Sequence, residues 1–111
     1  MKTVLLTLAF IILGFFANAQ KIYSVQYESQ ADIKVFVVKY ESQADLKVYK
    51  VDYESRAQGN EGLWFFVEYE SRADKKVYFV DYESQADLKI YFVEYESRAG
   101  WINKSLMHLL Y

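Results

Sequence analysis

The chain has 111 residues, no cysteine or proline, one histidine and a formal net charge of −2. This length holds one small domain. The lack of cysteine excludes disulfide frameworks and thiolate metal sites, and a single histidine excludes any site that needs two imidazoles. The small negative charge argues against nucleic-acid binding through a basic face. Aromatic residues make up 19% of the chain, so we predict a small tyrosine-rich globular fold without a cofactor.

The first nineteen residues have the features of a secretory signal peptide. Lys2 gives a basic start, residues 4–16 form an apolar run, and Ala17 and Ala19 are the small residues that a signal peptidase reads. The apolar run is too short for a comfortable transmembrane helix. We therefore predict that residues 1–19 are a signal peptide cleaved after Ala19. The mature domain, residues 20–111, is then exported to the periplasm or the extracellular space and has no membrane association.

The rest of the chain is a repeat. The tripeptide Tyr-Glu-Ser recurs with spacings of 13, 13, 16, 13 and 13 residues, and it begins at Tyr27, Tyr40, Tyr53, Tyr69, Tyr82 and Tyr95. Each tyrosine closes a seven-residue segment, of which residues 47–53 are typical. The third position is always aromatic, the fifth is always valine and the seventh is always tyrosine. Alternate positions share one face of an extended chain, so we predict six β-strands whose third, fifth and seventh positions share the buried face.

Between the segments runs the sequence Glu-Ser-(Gln/Arg)-Ala-Asp, which is complete at 28–32, 41–45, 70–74 and 83–87. Serine followed three residues later by aspartate resembles a capping box, which predicts a helix-like turn closed by both side chains. A seven-residue strand spans roughly 23 Å at about 3.3 Å per residue. Such a short connector does not run back that far. This disfavours a parallel coil with one strand per turn and favours a meander, a ring or a closed barrel-like arrangement.

The C-terminal residues 100–111 depart from the repeat but are apolar enough to form a seventh element that completes a ring. The repeated Tyr-Glu-Ser-Gln-Ala-Asp-Leu-Lys-Val-Tyr unit, followed by residues 100–105, resembles the septknot family of short bacterial proteins. This resemblance covers essentially all of the mature chain. It implies an all-β torus of pseudo-sevenfold symmetry with a deeply knotted backbone. It supplies no functional residue, and Gln58 and Gly100 stand where the connector aspartate is expected.

The best candidate site is the longer connector that the 16-residue spacing creates. A longer loop on a rigid repeat is where binding residues concentrate, although a neutral insertion in a surface turn explains the same spacing. The two tryptophans stand at the two breaks in symmetry and have faces that stack on sugars or peptides. The candidate binding residues are therefore Gln58, Gly59, Asn60, Glu61, Trp64 and Trp101.

Six equivalent glutamates follow the six tyrosines, at Glu28, Glu41, Glu54, Glu70, Glu83 and Glu96. On a ring they either converge into an acidic collar for a hard cation or pair with nearby lysines and connector arginines. The connectors lack the glycine and Asp/Asn spacing of a calcium-binding loop, so metal binding is weakly supported. Near-identical copies also argue against catalysis, which needs one carboxylate distinguished from another, and His108 stands alone near the end of the chain.

The leading hypothesis is therefore an exported, non-enzymatic β-repeat module with a structural or weak binding role. One alternative is a self-assembling surface fibre, because valine- and tyrosine-rich strands stack as cross-β. Another is a module that binds cell-wall or extracellular glycans, or a protein partner, through residues 58–64. We expect a monomer, since charges recur in every connector and act as gatekeepers against stacking.

Overall fold

The computed structural model describes residues 20–111, and the predicted signal peptide lies outside the described residues. Each repeat contributes one strand, as predicted, but these strands have four or five residues rather than seven. The strands are β1 (Lys21–Ser24), β2 (Ile33–Val37), β3 (Leu46–Lys50), β4 (Leu63–Phe66), β5 (Lys75–Phe79), β6 (Leu88–Phe92) and β7 (Gly100–Trp101). Single 3₁₀ turns follow the first six strands and are numbered 1 to 6: Glu28–Gln30, Glu41–Gln43, Glu54–Arg56, Glu70–Arg72, Glu83–Gln85 and Glu96–Arg98. A 3₁₀ helix, Lys104–Leu110, ends the chain.

Six parallel strands close into a barrel in the order β1-β5-β2-β6-β3-β4, and β4 pairs with β1 again. β3 and β4 pair directly where the second winding begins, and the other barrel strands that follow one another in the chain are second neighbours. The chain winds around the barrel twice, and the strands of the second winding (β4–β6) fill the gaps between those of the first (β1–β3). The prediction of an all-β closed ring is confirmed, whereas a meander is wrong. Knotting of the backbone stays a prediction.

A constant stagger makes this parallel winding possible. Ile33 of β2 lies level with Val77 of β5, and Val35 lies level with Leu88 of β6, so each strand is offset by two residues from its neighbour. An even offset keeps the same residues on the inner face. At the end of β2 the Val38 N–H donates to the Ile90 carbonyl, 2.8 Å away.

The connector then crosses the outside of β6, and at the far edge of β6 the Asp45 N–H donates to the Lys89 carbonyl, 2.7 Å away. The chain therefore leaves and rejoins the barrel at nearly the same height. No length of strand is retraced, so short connectors are sufficient for parallel strands. Each winding contains three strands, so the structure is not the coil with one strand per turn that we disfavoured.

The barrel core comes from the second position of each segment, and all six of its side chains are fully buried: Ile22, Val35, Val48, Trp64, Val77 and Ile90. The residue that precedes the segment adds Ile33, Leu46 and Leu88. The third-position aromatics are only half-buried on the outer face, and the seventh-position tyrosines are 58–69% exposed. Our prediction that these two positions form the core is therefore wrong. The strands end at the fourth position, so the period of two does not continue to the tyrosine.

The connector aspartates join strands rather than cap turns. Tyr27 is the N-cap of turn 1, and no side-chain hydrogen bond caps that turn, so the capping-box prediction is wrong. Instead, the Lys76 N–H of β5 donates to the Asp32 carboxylate (2.9 Å), and the Asp32 N–H donates to the Lys76 carbonyl (2.7 Å). This two-bond clasp fixes the connector to the strand it crosses. The complete connectors repeat it in the pairs Asp45–Lys89, Asp74–Lys21 and Asp87–Lys34.

The C-terminal element completes the seam between β3 and β4. β7 runs antiparallel to the first part of β3, where Leu46 faces Trp101, and β4 pairs with the same edge of β3 further along. The 3₁₀ helix that follows buries Leu110 against the core. The buried Gln20 side chain, which precedes β1, donates to the Leu110 carbonyl at 3.1 Å. The C-terminal residues therefore cover the barrel near the start of β1.

Candidate functional site

The long connector that we proposed as a binding loop is tied to the C-terminal segment. Asn60 is buried, and its Nδ2 donates to the Met107 carbonyl at 2.9 Å. The Trp101 indole N–H donates to the Asn60 carbonyl at 2.8 Å. Gln58, Gly59 and Glu61 are exposed.

Trp64 is fully buried, because it occupies the inward second position of its segment. It is therefore a core residue, and its assignment to a binding surface is wrong. Asn60 and Trp101 hold the insertion in place, which leaves only the exposed tip of the loop free to contact a ligand.

The six connector glutamates are ion-paired rather than gathered around a cation. Three of them pair with the lysine six residues later, with distances of 3.4 Å for Glu28–Lys34, 3.6 Å for Glu70–Lys76 and 3.5 Å for Glu83–Lys89. The other three pair with an arginine from a different connector. Within residues 20–111, no group of three or more acidic or histidine side chains is placed to hold a metal ion.

The three connector arginines link neighbouring turns in one direction around the barrel. The guanidinium of Arg72 in turn 4 lies 2.8 Å from Glu54 in turn 3. The corresponding pairs are Arg56–Glu96 at 2.5 Å, from turn 3 to turn 6, and Arg98–Glu41 at 2.6 Å, from turn 6 to turn 2. Lys21 also contacts Glu54, and its hydrogen bond, together with the weaker effect of the Arg72 charge, lowers the pKa of Glu54 from its ordinary value.

The strand order explains why the arginine turns are adjacent. Repeats 3, 4 and 6 carry arginine, but they are not consecutive in the chain. Their strands β6, β3 and β4 lie side by side in the barrel. We call turns 6, 3 and 4 the arginine arc. Turns 1, 5 and 2, which carry Gln30, Gln85 and Gln43 at the same position, form the glutamine arc on the opposite side.

The six exposed tyrosines form a belt around the outside of the barrel. Each begins a 3₁₀ turn in extended backbone, with φ between −120° and −128°. The Tyr27 carbonyl accepts the Gln30 N–H at 3.0 Å, and the equivalent bond recurs in the other five turns. The tyrosine belt (Tyr27, Tyr40, Tyr53, Tyr69, Tyr82 and Tyr95) therefore presents six aromatic side chains from hydrogen-bonded turns.

Grooves lie beside all three turns of the arginine arc. The groove at the end of β4 has a volume of about 240 Å³ and is lined by Phe65, Phe66, Val67, Glu68, Tyr69 and Arg72. The groove at the end of β6 has a volume of about 280 Å³ and is lined by the equivalent residues, including Glu94, Tyr95 and Arg98, and by Glu41 of turn 2. Between them, a recess of about 30 Å³ lies against Asp52, Tyr53 and Arg56 at the end of β3. Each site combines an exposed tyrosine, a carboxylate and an arginine held by a glutamate.

The sequence carries a signal for this surface that we did not use. Three connectors read Glu-Ser-Arg and three read Glu-Ser-Gln, but their grouping depends on a strand order that the sequence does not reveal. Our interpretation also placed the tyrosines in the core, and so removed them from the candidate residues.

The strand order and the repeat define a doubly wound, closed barrel of parallel strands with outward-crossing connectors. Residues 19–102 match the sequence profile of the 7(1) septoil knot domain. The chain belongs to this family, as its resemblance to the septknot proteins implied. No curated protein and no solved structure matches the chain. Within residues 20–111 there is no helix with the length and apolar character needed to cross a membrane.

Proposed function

We propose that this protein is an exported, non-enzymatic module that binds extended glycans on the tyrosine belt. The observation that carries the proposal is the 58–69% exposure of six equivalent tyrosines. These side chains contribute little to the core, and a tyrosine offers both an apolar ring face and a polar hydroxyl, which suits it to contact with another molecule. Sugars present matching apolar C–H faces and hydroxyls.

The surroundings of the tyrosines support a glycan. A carboxylate and a guanidinium flank the tyrosine in each groove of the arginine arc, and charged groups make strong hydrogen bonds with hydroxyls. The mixed charges of the connectors do not form the basic stripe that a nucleic-acid backbone requires. A glycan in the cell wall or the extracellular space also fits the predicted export of the mature chain.

A binding role without catalysis is favoured by the ion pairs of the connectors. All six connector glutamates are engaged by a lysine or an arginine, so none of them is set aside as a free catalytic acid. The single histidine, His108, is exposed, and its Nδ1 lies 3.0 Å from the Ser105 carbonyl.

The fibre alternative has less support. Cross-β stacking needs an unpaired strand edge, whereas each of β1 to β6 pairs with two neighbours in the barrel. We therefore propose a monomer in solution. Light scattering on residues 20–111 tests this, and a thioflavin-positive polymer would contradict it.

The proposed function is tested by binding of residues 20–111 to insoluble cellulose, chitin and peptidoglycan. We expect retention on at least one of these glycans and loss of retention when all six belt tyrosines are changed to alanine. Circular dichroism of the variant checks that it folds, which we expect because the six side chains are exposed. Absence of retention on all three glycans, or retention that survives the six changes, would refute the proposed function.

A further inference from the structure

We propose that the arginine arc alone is the glycan-binding edge of the belt and that it takes a polymer of neutral sugars. The inference rests on the proposed function and narrows it from six tyrosines to Tyr53, Tyr69 and Tyr95. The first observation is that the grooves at the ends of β4 and β6 border these turns.

The arginines build these grooves. Arg98 extends from turn 6 to Glu41 of turn 2, and both residues line the groove at the end of β6. At the equivalent position the glutamine arc has a shorter, neutral side chain. Its glutamates include Glu28 and Glu83, which pair with the lysine of the strand that follows in the chain, Lys34 and Lys89. The two arcs therefore differ in how neighbouring turns are linked, although their tyrosines are equally exposed.

The charges in the grooves select the ligand. The groove at the end of β6 holds the carboxylates of Glu41 and Glu94 and the guanidinium of Arg98. The Lys50 ammonium also lies 4.5 Å from the centroid of the Phe92 ring, which lines this groove. Two carboxylates therefore face two cations, and this balance suits a neutral sugar better than a polyanion. The Oε2 atom of Glu41 accepts from Arg98, and its Oε1 atom is buried. The exposed carboxylate of Glu94 is therefore the acceptor for the hydroxyl groups of a sugar.

The spacing of the grooves requires an extended ligand. The two larger grooves lie on either side of β3, two strand spacings apart, which is about 10 Å at the barrel wall. A single sugar occupies one groove, while a longer chain reaches the second groove at high effective concentration. Affinity should therefore rise with chain length until both grooves are filled.

The experiment compares two matched triple variants of residues 20–111. One changes Tyr53, Tyr69 and Tyr95 of the arginine arc to alanine, and the other changes Tyr27, Tyr40 and Tyr82 of the glutamine arc. The probes are N-acetylglucosamine oligomers of two to eight units, with polygalacturonate as the polyanion, and binding is measured by calorimetry. We expect the arginine-arc variant to lose affinity about tenfold or more, which corresponds to roughly 1.4 kcal/mol, and the glutamine-arc variant to stay within about twofold.

A second variant separates the grooves from the tyrosines. Replacing Arg72 and Arg98 with glutamine copies the residue found at the same position of turns 1, 2 and 5, so we expect it to fold. It keeps all six tyrosines and should lose affinity about as strongly as the arginine-arc variant.

Each of the remaining outcomes would contradict a particular part of the proposal. Equal losses in the two tyrosine variants would overturn the arginine-arc proposal but leave binding by the whole belt intact. Tight binding that neither tyrosine variant weakens would refute both proposals. If no N-acetylglucosamine oligomer binds while cellulose, chitin or peptidoglycan retains the protein, the proposed ligand of the arc is wrong and the proposed function stands. Tighter binding of polygalacturonate than of the sugar oligomers would refute the proposed ligand. An affinity that does not change with the length of the oligomer would refute the two-groove geometry.

Discussion

Gly62 shows how strongly single residues are constrained where the two windings meet. It immediately precedes β4, and its carbonyl accepts the Tyr49 N–H of β3 at 2.8 Å. Its φ is +85°, and a Cβ atom at this position would overlap the Lys47 carbonyl oxygen. Both the backbone conformation and the close approach of β3 therefore require glycine here.

We predict that Gly62→Ala destabilises the domain by more than the left-handed conformation alone would cost, which is about 1–2 kcal/mol. The added methyl group collides with backbone, which moves only if the β3–β4 pairing moves. Gly59→Ala is the matched control, because Gly59 also has a positive φ of +69° but open space around it. Urea unfolding of both variants measures the difference, and equal losses of unfolding free energy would show that the contact with Lys47 is unimportant.

At the scale of the element, the repeat is held together by the aspartate clasp. Asp32 accepts the Lys76 N–H through its carboxylate and donates its own N–H to the Lys76 carbonyl. These two bonds fix the place where the connector rejoins the barrel after it has crossed β5. Gln58 and Gly100, which replace the aspartate, stand in the two connectors that lead to the irregular strands β4 and β7.

We predict that Asp32→Ala lowers the free energy of unfolding by about 1 kcal/mol, because the Lys76 N–H loses its acceptor. Asp32→Asn should recover part of this loss, since its amide oxygen also accepts a hydrogen bond. Asp81→Ala is the control, because Asp81 is exposed beyond the end of β5 and outside the clasp. A loss for Asp81→Ala as large as that for Asp32→Ala would contradict the clasp.

The existence of these elements could be predicted from the sequence, but their faces could not. Six strands and six turns follow from the 13-residue period and from the β-branched and aromatic residues. Which side chains face inward could not be predicted from this period, because both Val35 at the second position and Val38 at the fifth are buried. These two residues are three apart, so they share a face only because the chain bends between them. Without that bend, Tyr40 belongs to the same face as Val38, and we therefore placed it in the core.

The candidate surface could not be predicted from the sequence for a related reason. Arg72 and Glu54 are separated by a whole repeat, and Arg98 and Glu41 by four. These residues meet only because the second winding fills the gaps of the first. Local patterns encode each turn, whereas the neighbours of a turn are set by the closure of the whole barrel.

At the scale of the whole molecule, each strand pair joins the two windings. β1, β2 and β3 pair only with β4, β5, β6 and β7, and no two strands of the first winding pair with each other. Ile22 lies level with Lys75, 53 residues further along the chain. Contacts between residues so far apart in the chain cost conformational entropy to form, and they slow folding. Because each strand pair joins the two windings, neither half of the chain contains two strands that pair with each other.

We predict that a fragment of residues 20–58, which contains the whole first winding, is unfolded in isolation. Its three strands have lost every hydrogen-bonded neighbour, and unpaired strands with exposed apolar side chains are not stable in water. Circular dichroism and amide hydrogen exchange of the fragment measure this, and full-length residues 20–111 are the control, for which we expect a single cooperative unfolding transition. Mixing the fragment with residues 59–111 should restore protection if the halves can interleave. Protected amides in the isolated fragment would mean that consecutive repeats interact directly, as in an ordinary linear repeat protein, and would contradict the interleaved winding.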